Sequence, residues 1–209
     1  MKKLLFSLAG LALLTAFSFA TFQTNGYQVG DVAADFKLKN INGKMVSMAD
    51  YKEAKGFIVI FSCNHCPFVV ASEDRMIALH EKYASKGYPV IAINPNEQTH
   101  ADDTFEKMKV RAQEKGFKFA YLVDGEQKYA RLYGATKTPD VFLLNKEKKD
   151  GKDVLIVRYK GAIDNSVKDA AAVTETFLAD ALEALLAGKA ISKTDTKAVG
   201  CTIKWKETR

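Results

Sequence analysis

Phe57-Ile58-Val59-Ile60-Phe61 is an unbroken run of branched and aromatic residues, and it constrains this chain more than any other feature. A strand with no polar face must be covered on both sides, which places it in the middle of a sheet with helices above and below. Directly after it come Ser62-Cys63-Asn64-His65-Cys66-Pro67, and then Val69, Met76, Leu79 and Tyr83 as the apolar positions of a stretch reaching about Ser85. Those spacings of three, four and seven predict an amphipathic helix, closed at Lys86-Gly87 before a second buried strand, Pro89–Ile93.

The alternation continues down the chain. A helix is predicted from about Asp103 to Lys115, with Phe105, Met108 and Ala112 on one side and Gly116 as its stop. Phe119–Val123 reads as a strand, Gln127–Tyr133 as a short helix, and Gly134–Pro139 as a loop. Asp140–Leu144 and Val154–Tyr159 are two strands close enough in sequence to be antiparallel, joined by a charged turn containing Asp150-Gly151. A last helix runs from about Thr174 to Leu186 and ends at Gly188. Upstream, Asn42-Gly43 between short mixed runs in Lys39–Val46 predicts a small hairpin. The expected class is therefore α/β, with a central mixed sheet flanked by helices and an N-terminal β-hairpin extension. No repeat or internal boundary divides residues 21–188. The tail, 189–209, is polar except for Val199-Gly200-Cys201-Thr202-Ile203-Lys204-Trp205.

Lys2 and Lys3 precede an apolar stretch, Leu4 to Ala20, that ends in Ser18-Phe19-Ala20. A basic start, a short apolar centre and small residues before a cut after Ala20 are the marks of a signal peptide. The stretch sits at the low edge of the ~20 residues that span a bilayer, so removal is expected over retention as an anchor. The mature protein is then expected in the periplasm or secreted, with no stable membrane insertion. The surplus of 31 basic over 25 acidic residues is spread through mixed sequence such as Lys146-Glu147-Lys148-Lys149-Asp150, which is no nucleic-acid footprint.

An exported chain meets an oxidising compartment, so its three cysteines, Cys63, Cys66 and Cys201, carry information. Three are too few for a disulfide scaffold in a chain of this size. Two cysteines separated by two residues can close a small disulfide. Cys63, where a buried strand yields to a helix, is expected near unpaired backbone N–H groups, which favour a thiolate and a low pKa. Cys66, about a turn further in, suits resolution of a mixed disulfide. His65 between them can add positive charge near Cys63, which favours the thiolate and hence the reduced form and makes the couple more oxidising. Cys201 is expected to be dispensable. A zinc site would need two further ligands from His65, His80, His100 and Cys201, none of which repeats the pair's spacing, so no metal or cofactor is expected. Soft thiolates with an imidazole leave copper handling as an alternative.

From about Val29 to Leu186 the chain resembles the thioredoxin-like superfamily, in its alkyl hydroperoxide reductase/thiol-specific antioxidant (AhpC/TSA, or redoxin) branch. Val29–Leu38 is similar to the redoxin entry segment, with Ala34 where proline is usual. Cys63-Asn64-His65-Cys66-Pro67-Phe68-Val69 and Gly200-Cys201-Thr202-Ile203-Lys204-Trp205 resemble a bacterial envelope subgroup of thioredoxin family proteins. The resemblance implies a thioredoxin-like fold and a thiol–disulfide oxidoreductase acting on protein thiols and disulfides with an envelope electron donor or acceptor. It also implies that Cys63 attacks, Cys66 resolves, and Pro139 is a cis-proline facing them. Ser62 replaces the tryptophan frequent before the first cysteine. No carboxylate lies in Phe57–Phe61, which leaves open what handles the proton. The Pro and Thr that precede a peroxidatic cysteine are missing, which sets a thiol peroxidase-like antioxidant role behind disulfide exchange.

Overall fold

The computed structural model describes residues 26–207; the signal peptide expected over residues 1–20 and its cut lie outside them. In chain order the elements are β1 (Val32–Ala33), β2 (Lys37–Asn40), β3 (Met45–Ser47), β4 (Gly56–Phe61), α1 (Pro67–Val70), α2 (Glu73–Tyr83), β5 (Val90–Asn94) and α3 (Phe105–Lys115). They continue with β6 (Ala120–Val123), α4 (Lys128–Tyr133), β7 (Lys137–Thr138), β8 (Asp140–Lys149), β9 (Lys152–Gly161), α5 (Phe177–Leu186) and β10 (Cys201–Thr202). Eight strands form one mixed sheet in the order β1-β9-β8-β4-β5-β6-β2-β3. β4 lies at its centre, parallel to β5 and antiparallel to β8. β7 and β10 form a separate antiparallel pair.

The apolar run behaves as its composition requires. All six residues of β4 are buried. Alternate side chains go to opposite faces: Ile58 and Ile60 pack with Met76, Leu79, Met108, Leu178 and Leu182, residues of α2, α3 and α5. Phe57, Val59 and Phe61 pack with Ala130, Tyr133, Phe142 and Ile203 on the other face. Each such side chain taken from water stabilises the fold by about 1.5–3 kcal/mol. Asp150 and Gly151 both take positive φ, 51° and 75°, giving the tight reversal between β8 and β9. The hairpin β2–β3 forms as expected and joins the main sheet through β2 against β6.

One predicted helix is broken. The stretch from Pro67 to Tyr83 splits at Ala71-Ser72 into α1 and α2. Ser72 Oγ donates to the Phe68 carbonyl at 2.8 Å, and Arg75 donates to the Ala71 carbonyl at 2.9 Å. Side chains thus serve carbonyls at the break, a known way for serine to disturb a helix. α2 is then pinned to α3 by the buried Glu73, whose two oxygens accept from Arg111 at 2.7 and 2.5 Å. α3 also starts later than expected, at Phe105, leaving Asp103 in the loop before it.

Candidate active site

β4 delivers its last residue, Phe61, to the edge of the core, and the chain leaves it as the loop 62–66 before α1. Cys66 is the N-cap of α1, with Pro67 as its first helical residue, a position where the missing N–H costs nothing. Cys63, Cys66 and Val69 form one buried cluster, with Cys201 against it. Thr138, at the end of β7, touches both sulfurs: its hydroxyl lies 3.1 Å from Cys63 Sγ and its carbonyl oxygen 3.2 Å from Cys66 Sγ. The Thr138–Pro139 peptide is cis.

The loop is pinned by groups from a distant part of the chain. Asp103, fully buried, accepts from the backbone N–H of Asn64 at 2.6 Å and of His65 at 3.2 Å. Its other oxygen accepts from His65 Nδ1 at 2.6 Å. Asn94 at the end of β5 donates to the Asp103 carbonyl at 2.9 Å, and Tyr121 of β6 donates to the Asn64 side chain at 2.9 Å. The His65 ring stacks on His100, with ring centres 3.6 Å apart.

The cysteine pairing corrects the sequence-based expectation. Cys66 is joined to Cys201 by a disulfide, with Cα atoms 6.0 Å apart across 135 positions, and Cys63 is the free thiol. The cause is the return of the tail. β10 runs antiparallel to β7, so that Cys201 lies opposite Thr138 and beside Cys66. Cys201 is therefore no bystander to the pair.

A family model for AhpC/TSA matches residues 29–165. The chain belongs to the AhpC/TSA family. Among solved structures, this AhpC/TSA chain is similar to an uncharacterised conserved protein from Geobacillus kaustophilus, at 34% identity with a TM-score of 0.79 over 88% of this chain and 96% of that one. It is similar also to a hypothetical protein from Sinorhizobium meliloti 1021, at 33% identity with a TM-score of 0.77 over 90% of this chain and 100% of that one. Among curated relatives, it is 28% identical to the thiol-disulfide oxidoreductase ResA of Bacillus thuringiensis (strain Al Hakam) over 68% of this chain and 78% of the relative. The thioredoxin-like fold and family expected from the sequence are both present.

Within this AhpC/TSA site, electrostatics reverse the expectation for Cys63. Its thiol is 1% exposed, and burial pushes its pKa up to about 11, with the Asp103 carboxylate pushing in the same direction. The Thr138 hydroxyl and the backbone N–H groups of Cys66 and His65 oppose this but do not overcome it. α1 begins at Pro67, four residues beyond Cys63, with Cys66 as its N-cap, so the helix end lies at the second cysteine rather than the first. His65 lies close to Cys63, yet its hydrogen bond is spent on Asp103. β4 carries no carboxylate, and the one that bonds the loop beside Cys63 is Asp103, 38 positions along the chain from His65. His100, which entered the sequence reading only among possible zinc ligands, stacks on His65 at the site, whereas His80 accepts from the Val90 N–H at 3.2 Å and serves the fold. Asp103, Thr138 and Cys201 are the site residues that sequence reasoning missed. The apolar stretch Val199–Trp205 in a polar tail was the available signal for the third.

Proposed function

We propose that the protein exchanges disulfides with other polypeptides outside the cytoplasm, with Cys66–Cys201 as the working bond and Cys63 as a third thiol. The chain is a thiol–disulfide oxidoreductase of the AhpC/TSA family whose cysteine pair is Cys66–Cys201. In the oxidising direction, a client thiolate attacks one sulfur of that bond to give a mixed disulfide. A second client thiol then displaces it. The client leaves with one new S–S bond, and Cys66 and Cys201 keep two electrons and two protons as thiols. Cys201 is half-buried whereas Cys66 is fully buried, so while the Cys66–Cys201 bond is closed Cys201 is the sulfur open to a client. Within the protein Cys63 is the attacking thiol and Cys66 the sulfur it attacks, with Pro139 placing no competing N–H beside the sulfurs and His65 with Asp103 positioning the loop. An envelope donor or acceptor resets the pair. No helix among the described residues is long and apolar enough to cross a membrane.

The observation that carries this reading is a disulfide and a free thiol gathered around one residue, Thr138. The test is oxidation of a dithiol peptide by the oxidised protein, followed by mass spectrometry. Turnover in wild type that disappears in C66S supports the reading, and an oxidised wild type inert toward the peptide overturns it.

A second reading, metal handling by the reduced protein, rests on Cys63, His65 and Asp103, whose ligand atoms lie within 4.8 Å of one another. Thiolate with imidazole suits copper(I) or zinc. Stoichiometric copper(I) binding lost in H65A, with no peptide turnover, would favour it.

A further inference from the structure

β10 is only two residues long, yet it fills a specific place. Cys201 pairs with Thr138 and Thr202 with Lys137, so the tail lies along the backbone edge of β7 as an added strand. The approach is close enough to dictate a residue: a Cβ at Gly200 would sit 2.2 Å from the Thr138 carbonyl oxygen. Beyond Cys201 the tail stays anchored. The Ile203 N–H donates to Thr136 at 3.1 Å, its side chain is buried, and Gln127 donates to the Lys204 carbonyl at 2.7 Å. Thus Cys201 can leave its partner while the chain on its far side holds. An added strand bearing a cysteine, disulfide-bonded to the site it lies on, has the form of a client captured part-way through exchange.

We propose that Gly200–Thr202 is a resident stand-in for the client, and that Cys63 releases it by attacking Cys66. The Cys63 thiol gives up its proton as its sulfur forms a bond to Cys66 Sγ. The Cys66–Cys201 bond breaks, and Cys201 leaves as a thiolate that takes up the proton lost by Cys63. No outside oxidant is needed, because the number of disulfides is unchanged. The oxidised protein is then a pair of isomers: a closed one with Cys66–Cys201, and an open one with Cys63–Cys66 and the β7 edge free. The occupant for that edge is an extended polypeptide segment carrying a cysteine, held by main-chain hydrogen bonds to Lys137 and Thr138. Thr138 favours the exchange by touching both Cys63 and Cys66. This inference rests on the exchange reading above.

The experiment is disulfide mapping by peptide mass spectrometry after acid quench, together with turnover of a dithiol peptide. Oxidised wild type should contain both Cys66–Cys201 and Cys63–Cys66. G200A keeps all three cysteines but crowds β10 off β7, so its Cys63–Cys66 fraction should rise. C63S should hold the tail closed and slow peptide oxidation about tenfold or more, because an intramolecular thiol is lost. If wild type and G200A both contain Cys66–Cys201 alone and C63S turns over the peptide at the wild-type rate, the isomerisation is wrong though exchange stands. If no variant and no wild type oxidises the peptide, the exchange reading itself fails.

Discussion

The loop carrying Cys63 and Cys66 and the tail carrying Cys201 meet at the same disulfide, but they are held in different ways. The loop hangs from β4, which pairs along its length with β5 and β8 and is buried at every residue. The tail is held by a two-residue pairing, the Cys66–Cys201 bond, and contacts from Gln127, Asn96 and Arg131 to residues 204–206. The difference teaches that one half of the site is built by the fold whatever its redox state, whereas the other is in part built by the disulfide. A site of this kind can change shape as it changes oxidation state.

The comparison breaks first where the core is cut. Ile60→Ala removes a fully buried side chain of β4 and should cost about 2–5 kcal/mol in urea unfolding, oxidised or reduced alike. A cost confined to the oxidised form would show that the loop depends on the bond as much as the tail does. Next in size is the bond itself. C201S loses a cross-link spanning 135 positions and should be about 2–4 kcal/mol less stable than oxidised wild type. Amide exchange should quicken in β10 but not in β4, and equal quickening in both would erase the distinction.

A smaller effect belongs to Asp140, just beyond the cis peptide. Burial raises its pKa to about 7, against the pull of the Thr136 and Lys137 N–H groups and of Lys160. A raised carboxyl contributes stability that is complete below the unfolded value of about 3.9 and is lost as pH rises toward 7. D140N should therefore gain on wild type across that window and stay level above it. A flat difference between pH 4 and 7 would remove the buried charge from the account. The smallest effect sharpens the electrostatics of the loop. Asp103→Asn removes the second cause of the raised Cys63 pKa, so thiolate absorbance should titrate below about 11. It should still titrate above an ordinary thiol near 8.5, because burial remains. An unchanged midpoint would mean that the carboxylate does not act on Cys63.

The parts of the site that were legible are those whose partners lie nearby in the chain or repeat along it. Val69, Met76, Leu79 and Tyr83 announced a buried helix face, and all four are buried. Asn42-Gly43 and Asp150-Gly151 announced turns that are present. Pro139 was visible as the last loop residue before a strand, and its cis bond came from family likeness. Asp103 was not legible as a site residue because its spacing fitted a helix start. Only the packing of the 96–104 loop against residues 64–65 shows that it ends up beneath His65.

By itself, the sequence determined the α/β class, the central position of β4 and the place of Cys63 and Cys66 at its end. Local periodicity and burial allow few alternatives for an apolar run followed by an amphipathic helix. The tertiary structure alone decided which sulfurs join and which thiol stays buried. Cys66 and Cys201 are 135 positions apart, and their meeting depends on β10 finding the open edge of β7. Likewise the Cys63 thiol takes its high pKa from burial and from a carboxylate reached only through folding. A spacing of two residues makes a bond between Cys63 and Cys66 available. It cannot say that another cysteine, brought by a strand from the far end of the chain, will be closer to hand.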